Sequence, residues 1–178
     1  MVRATADERR RAMLAAARHE FAQKGYSGAT TQAIAASAGV SQPYVYSLFP
    51  NKKALFGAAW ESCCDEIEST LTAAAEGLAG EEAVRAMALA YDELIRDRDL
   101  LQFQLQAWAA AGQDEELRAA VARRFERLWE LVGRAGGTEG EQTADFMATW
   151  VLYNVAVSLD LSLTSQCRVS AALDRRSG

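Results

Sequence analysis

The chain has 178 residues, half of them apolar, with only two prolines and a formal net charge of −5. That length allows one or two domains with a real core, and the composition suits a globular helical protein. No run approaches the roughly 18 apolar residues of a membrane span, and the N-terminus carries no signal-peptide-like apolar run, so no membrane role is expected. Cys63, Cys64 and Cys167 form no CxxC pair and suit a reducing cytoplasm, and with His19 as the single histidine no metal site or cofactor is expected. The net charge conceals an asymmetry. Residues 1–57 hold 8 Lys+Arg against 3 Asp+Glu, whereas the remainder holds 11 against 21. A basic segment on an acidic body argues for a polyanionic partner of that segment.

In chain order, residues 1–8 read as a frayed start. Arg9, Arg10 and Arg11 open a first helix that runs to about Lys24, with Leu14, Ala17 and Phe21 as its inner stripe and Gly25 as its cap. The arginine run fits solvated charge and phosphate contact equally well. From Thr30 to Phe56 two short helical patterns flank a tight break, Ala38-Gly39-Val40-Ser41. Ile34, Ala35 and Ala38 share one apolar face, and Gly39 supplies the left-handed residue that ends the first helix. Ser41 is the N-cap of the second, Pro43 fits its first turn, and Val40 with Val45 has the spacing of a hydrophobic staple. Val45, Leu48 and Phe49 face inward, which leaves Gln42, Pro43, Tyr44, Tyr46 and Ser47 on the outer side. A short helix anchored on a small core, with polar and aromatic groups outward, is what a major-groove reader requires. The same pattern fits any tight helix-turn-helix of an all-α core. Lys52 and Lys53 then fall in the first turn of a third helix capped by Asn51. Cations there oppose the helix dipole, and a bound phosphate would remove the conflict.

These residues resemble the N-terminal DNA-binding domain of TetR-type transcriptional regulators. The match runs from Arg11 to about Phe56: Phe21-Ala22-Gln23-Lys24-Gly25-Tyr26, Thr30-Thr31, Ile34-Ala35, Ala38-Gly39-Val40-Ser41, Tyr46, Phe49-Pro50-Asn51-Lys52 and Ala54-Leu55. Pro43 stands where a glycine is usual, and Leu48 where a tyrosine or histidine is usual. The resemblance implies that Thr31, Gln42, Tyr44, Tyr46 and Lys52 touch DNA.

Downstream, the helix from Asn51 to about Ala75 carries Phe56, Trp60, Cys63, Ile67 and Leu71 on one stripe and is stopped by Gly77 and Gly80. It is expected to act as a lever between domains 1–55 and 56–178. Val84, Met87, Ala88, Tyr91, Leu94 and Ile95 mark a helix over 81–96. A capping-box pattern at Asp99-Leu100-Leu101-Gln102 opens the next, which carries Phe103, Leu105 and Trp108 among glutamines. Leu117, Val121, Phe125, Leu128 and Val132 line a helix from Asp114, with Arg118, Arg123, Arg124 and Arg127 on its other sides. A second capping-box pattern at 138–141 opens a final helix to about Leu163, free of charge from Phe146 to Leu159. A helix apolar on nearly every side is buried from two directions. Its Val151, Val155 and Leu159 are therefore expected at a homodimer interface, with the preceding helix completing a four-helix contact. Aromatic bulk with a few uncharged hydrogen-bonding groups is how small-molecule pockets are lined. Trp60, Tyr91, Phe103, Gln104, Trp108, Phe125 and Trp150 are thus candidate contacts for a small apolar or aromatic ligand. No nucleophile elbow, phosphate loop or acid–base pair suggests an enzyme.

The expectation is an all-α protein with an N-terminal three-helix DNA-binding domain and a C-terminal helical ligand-binding and dimerisation domain. It would be a cytoplasmic homodimer on a near-palindromic double-stranded DNA operator, more often a repressor than an activator. The alternative is a small-molecule-binding or sequestering helical protein that binds no operator.

Overall fold

Thr5 caps the first helix, four residues before its arginines. Its hydroxyl accepts from the Glu8 N–H at 3.1 Å while the Glu8 carboxylate accepts from the Thr5 N–H at 2.6 Å. This reciprocal capping box satisfies two N–H groups that a helix start otherwise leaves bare. It also holds the Glu8 carboxyl below its ordinary pKa, chiefly through the Thr5 backbone N–H. The start expected to be frayed is therefore capped from Thr5 onward. The computed structural model describes residues 5–137 and 141–161, and within them there are eight α-helices and no strand. They are α1 (Ala6–Gly28), α2 (Thr31–Ser37), α3 (Gln42–Leu48), α4 (Lys52–Ala74), α5 (Gly80–Leu94), α6 (Arg98–Ala111), α7 (Glu115–Gly136) and α8 (Glu141–Ser158). The expected box at 138–141 and everything beyond Leu161 lie outside the described residues. None of the described helices is long and apolar enough to cross a membrane.

The chain divides into two compact units. The first joins the residues up to Cys64 with Gln102–Ala122. Its core is aromatic: the Phe21 and Phe56 rings meet edge-on at 4.8 Å, Phe56 meets Phe103 at 5.2 Å, and Trp60 lies 6.3 Å from Phe103. Phe103 and Ala107, four residues apart on α6, are wholly buried and tie that segment to the N-terminal helices. At Gly25 the backbone leaves the helix with φ 68° and ψ 176°, and α1 continues beyond this kink to Gly28. A Cβ on Gly25 would stand 2.8 Å from Gln106 Oε1, the free-swinging end of a side chain that can turn aside, so it is the backbone angle that requires glycine.

The second unit comprises Asp65–Leu101 and the chain from Arg123 onward. Ile67, Leu71, Met87, Tyr91, Ile95, Trp150 and Tyr153 fill its core, with the Tyr91 and Trp150 rings 4.0 Å apart. Two polar contacts are built into it. The Tyr91 hydroxyl donates to Asn154 Oδ1 at 2.7 Å. Arg124, expected on the outer side of α7, is buried instead: its guanidinium reaches Asp65 at 2.6 Å and Glu68 at 3.0 Å, and Arg127 also pairs with Glu68. The apolar stripe of α7 is narrow enough for one arginine to turn in where two acids of α4 meet its charge, and unpaired burial there would be prohibitive.

Two helix ends differ from expectation. The cap of α6 is Asp97, whose carboxylate accepts from the N–H groups of Asp99 and Leu100, so Asp99 lies inside the helix. Helix α8 stops at Ser158 rather than near Leu163. There Asp160 takes φ 51°, and the Leu161 N–H returns to Ala156 O at 2.9 Å, a Schellman closure.

Candidate nucleic-acid interface

The turn between α2 and α3 is made by Gly39 at φ 67°, with the Val40 N–H returning to Ala35 O at 3.0 Å. Ser41 then caps α3, its hydroxyl accepting from the Tyr44 N–H. Val45 is fully buried and Phe49 nearly so, and these two side chains pin α3 to the unit. Leu48 is not a third anchor. It stands about 60° around the helix from Val45, off the buried stripe, and is 36% exposed.

The outer side of α3 is organised by hydrogen bonds. Thr31, at the first position of α2, is buried, and its hydroxyl lies 3.0 Å from the Tyr46 hydroxyl. Gln42 Nε2 donates to the same Thr31 oxygen at 2.9 Å. Gln42 is half-buried and Tyr46 is 47% exposed, so the far side of each remains open to solvent. Pro43 and Ser47 are exposed, and the Ser47 hydroxyl donates to Tyr44 O. Tyr44 is half-buried beneath the Arg9 guanidinium, 5.7 Å from its ring, and Arg10 lies over Phe49 at 4.9 Å. Of the seven residues expected at DNA, Thr31, Gln42 and Tyr46 are joined directly. Neither arginine contact has a signal in sequence spacing, because each joins α1 to residues more than thirty positions away.

The lysine pair has partners within the protein. Lys52 Nζ donates to Ser27 O at 3.3 Å and Ala29 O at 3.2 Å, and sits 4.9 Å from the Tyr26 ring centre. It satisfies carbonyls at the end of α1 while α4 is capped by Asn51, whose side chain accepts from the Ala54 N–H. Lys53 pairs with Asp114 at 2.8 Å and Glu116 at 3.1 Å. The hydrogen bond to Asp114 raises the Lys53 pKa above its ordinary value, and that to Lys53, then the Leu117 N–H, lowers the Asp114 pKa. The dipole conflict at this helix start is thus met by neighbouring protein oxygens.

The seven candidate ligand residues are distributed over both units. Trp60, Phe103, Gln104 and Trp108 lie in the first; Tyr91, Phe125 and Trp150 lie in the second. Trp60, Phe103 and Gln104 are buried, and the Trp60 indole N–H has no hydrogen-bond acceptor. Trp108 and Phe125 are half-buried. The second unit has an open hollow of about 740 Å³ that includes none of these residues. Asp65, Glu68, Thr72, Met87, Arg127 and Leu131 line part of it. Sequence periodicity misses this charged wall, because it joins residues of α4 to residues of α7 that are far apart in the chain. Along α8 and just past its end, Leu152, Val155 and Leu159 are exposed, while Val151 is half-buried.

Residues 13–59 match the family described as bacterial regulatory proteins, tetR family. The whole fold is shared with solved structures of low identity. A protein assigned to the TetR-family transcriptional regulators, from Mesorhizobium loti MAFF303099, is 22% identical with a TM-score of 0.71, over 98% of this chain and 96% of that one. A transcriptional regulator from Saccharomonospora viridis, solved in complex with choline, is 20% identical with a TM-score of 0.78, over 95% of each chain. The regulator FadR from Bacillus subtilis, solved with stearoyl-CoA, is 18% identical with a TM-score of 0.72, over 91% of this chain and 98% of that one.

Proposed function

We propose, from the match of residues 13–59 to the tetR family of bacterial regulatory proteins, that the chain is a cytoplasmic transcriptional repressor. It acts as a homodimer on a near-palindromic operator and releases it when a small ligand binds. Regulators of this family are DNA-binding proteins and not enzymes. The observation that carries the reading is the outer side of α3. It offers an amide, a phenol and a second aromatic ring, without a charged side chain, on a helix pinned by Val45 and Phe49. Gln42 has the groups for a bidentate pair with adenine, and Tyr44 or Pro43 can pack on a thymine methyl. Tyr46 and Ser47, exposed on the same helix, have hydroxyls that can meet phosphates flanking the groove. Lys52 has a third ammonium N–H beyond the two given to carbonyls, and it is available to a phosphate.

Dimerisation would use the exposed aliphatic stripe at the end of α8, Leu152 and Val155 with Leu159 just beyond it, with Val151 at its edge and α7 completing the four-helix contact. Three aliphatic side chains at i, i+3 and i+7 form a seam that suits another copy of itself. A two-fold axis would place the recognition helices about 34–36 Å apart or a multiple of it, which is what a palindrome needs. For the ligand, the buried Trp60 N–H without an acceptor supports a molecule that brings one, and Phe103 and Gln104 support an apolar or aromatic body with few charges. Trp108, in the same unit, completes the proposed set. The ligand must prefer the conformation that misplaces α3, since equal affinity for both states shifts nothing.

The test is operator selection followed by binding with variants. Gln42→Ala should cost about 1–3 kcal/mol at a single base position of each half-site. Lys52→Ala should weaken all sequences alike and flatten the salt dependence. Compounds that raise the melting temperature should also release the operator. Stabilisation without release, or a protein that selects no DNA, points instead to a sequestering function.

A further inference from the structure

The hydrogen bonds joining Gln42, Thr31 and Tyr46 hold more than position. We propose that Thr31 is a specificity-setting hydroxyl: a DNA phosphate bound at Tyr46 fixes, through Thr31, which way the Gln42 amide faces the groove. The inference rests on the reading of α3 as the recognition helix.

Tyr46 and Thr31 each carry one hydroxyl proton, and either can donate across their 3.0 Å contact. A phosphate oxygen only accepts. Once it binds the exposed Tyr46 hydroxyl, the phenolic proton points at the phosphate, and the Tyr46 oxygen can only accept from Thr31. The Thr31 proton is then committed to Tyr46. Its oxygen can serve Gln42 only as an acceptor, so Gln42 must present an N–H to it, as it does at 2.9 Å. That leaves the amide carbonyl and its second N–H for the groove. One acceptor beside one donor complements adenine, which offers N6–H and N7.

Reversing the chain changes the base. If the Thr31 proton were free to reach Gln42, the amide could turn, give its carbonyl to Thr31 and show two N–H donors to the groove. Two donors suit guanine, whose N7 and O6 both accept. Burial of Thr31 keeps water from supplying an alternative partner inside the chain, and hydrogen bonds aligned head to tail strengthen one another. A base contact and a phosphate contact are thereby coupled through a residue that touches neither.

The experiment measures affinity for selected operator duplexes carrying adenine or guanine at the Gln42-dependent position. Wild type should favour adenine by about tenfold or more, the range of one bidentate pair. Tyr46→Phe, which removes an exposed hydroxyl and disturbs no buried packing, should bring the ratio within about threefold through gain of guanine binding. Thr31→Val should do the same, and Thr31→Ser, which keeps the hydroxyl, should restore the preference. Equal loss of affinity for both duplexes in Tyr46→Phe and Thr31→Val, with the ratio unchanged, overturns the inference and leaves Thr31 a structural residue. Gln42→Ala in the same assay separates the premise: if it alters no base position, α3 is not the reader and the functional proposal itself falls.

Discussion

The two units solve burial with different chemistry. The first has a core of stacked and edge-on rings, Phe21, Phe56, Phe103 and Trp60, and gathers a hydrogen-bonded set at α3 in which buried Thr31 joins half-buried Gln42 and exposed Tyr46. The second sets the Tyr91–Asn154 hydrogen bond and the Arg124–Glu68 ion pair inside, and shows aliphatic side chains outward along α8 and just past its end, where Leu152 is 55% and Leu159 63% exposed. Exposure alone therefore says little about a partner. A wired polar surface suits base edges and phosphates, whereas a bare aliphatic stripe suits another apolar surface.

Substitutions can break each side of this contrast. Phe103→Ala should have the largest effect, because it removes the ring on which Phe21, Phe56 and Trp60 converge; a loss of about 3–5 kcal/mol is expected in urea unfolding. A loss below 1 kcal/mol would mean that the aromatic cluster is not what holds the first unit. Val155→Glu comes next. A charge in the α8 seam should raise the dimer dissociation constant at least 100-fold, about 3 kcal/mol, in sedimentation, with helical circular dichroism unchanged. A variant that sediments as a wild-type dimer would move the interface away from α8.

Tyr91→Phe tests the buried polar pair of the second unit. It leaves the Asn154 carbonyl without its donor and should cost about 1–3 kcal/mol with little change in operator affinity at a temperature where the protein stays folded. The smallest effect is that of Lys53 with Asp114. The lowered carboxyl stabilises the fold above the ordinary aspartate value of 3.8 and is lost as pH falls through its folded pKa. The raised ammonium stabilises below 10.5, and that contribution is lost as pH rises through its folded pKa. Between those limits Asp114→Asn should lower the melting temperature slightly and evenly. Below the acid limb the variant and wild type should converge.

Local signals carried much of this molecule. Gly25 and Gly39 are the left-handed residues their positions require, Ser41, Asn51 and Asp114 cap the helices that follow them, and the α4 stripe from Phe56 to Leu71 is buried as its period demands. These depend on backbone geometry and side-chain spacing within one or two turns, which a sequence states directly. The choice among neighbouring caps was less legible. Asp97 and Asp99 both have the chemistry, and only the chain path decided for Asp97. What sequence could not state is which distant groups meet. Arg124 turns inward because Asp65 and Glu68 stand on α4, Lys52 is held by carbonyls at the end of α1, and residues 102–122 join the first unit because Phe103 finds Phe21 and Phe56. Thr31 is the clearest case. The fold brings Gln42 from eleven residues away and Tyr46 from fifteen to its one hydroxyl oxygen. Hydrogen-bond direction is a property of the assembled chain of donors and acceptors, and no single position in the sequence contains it.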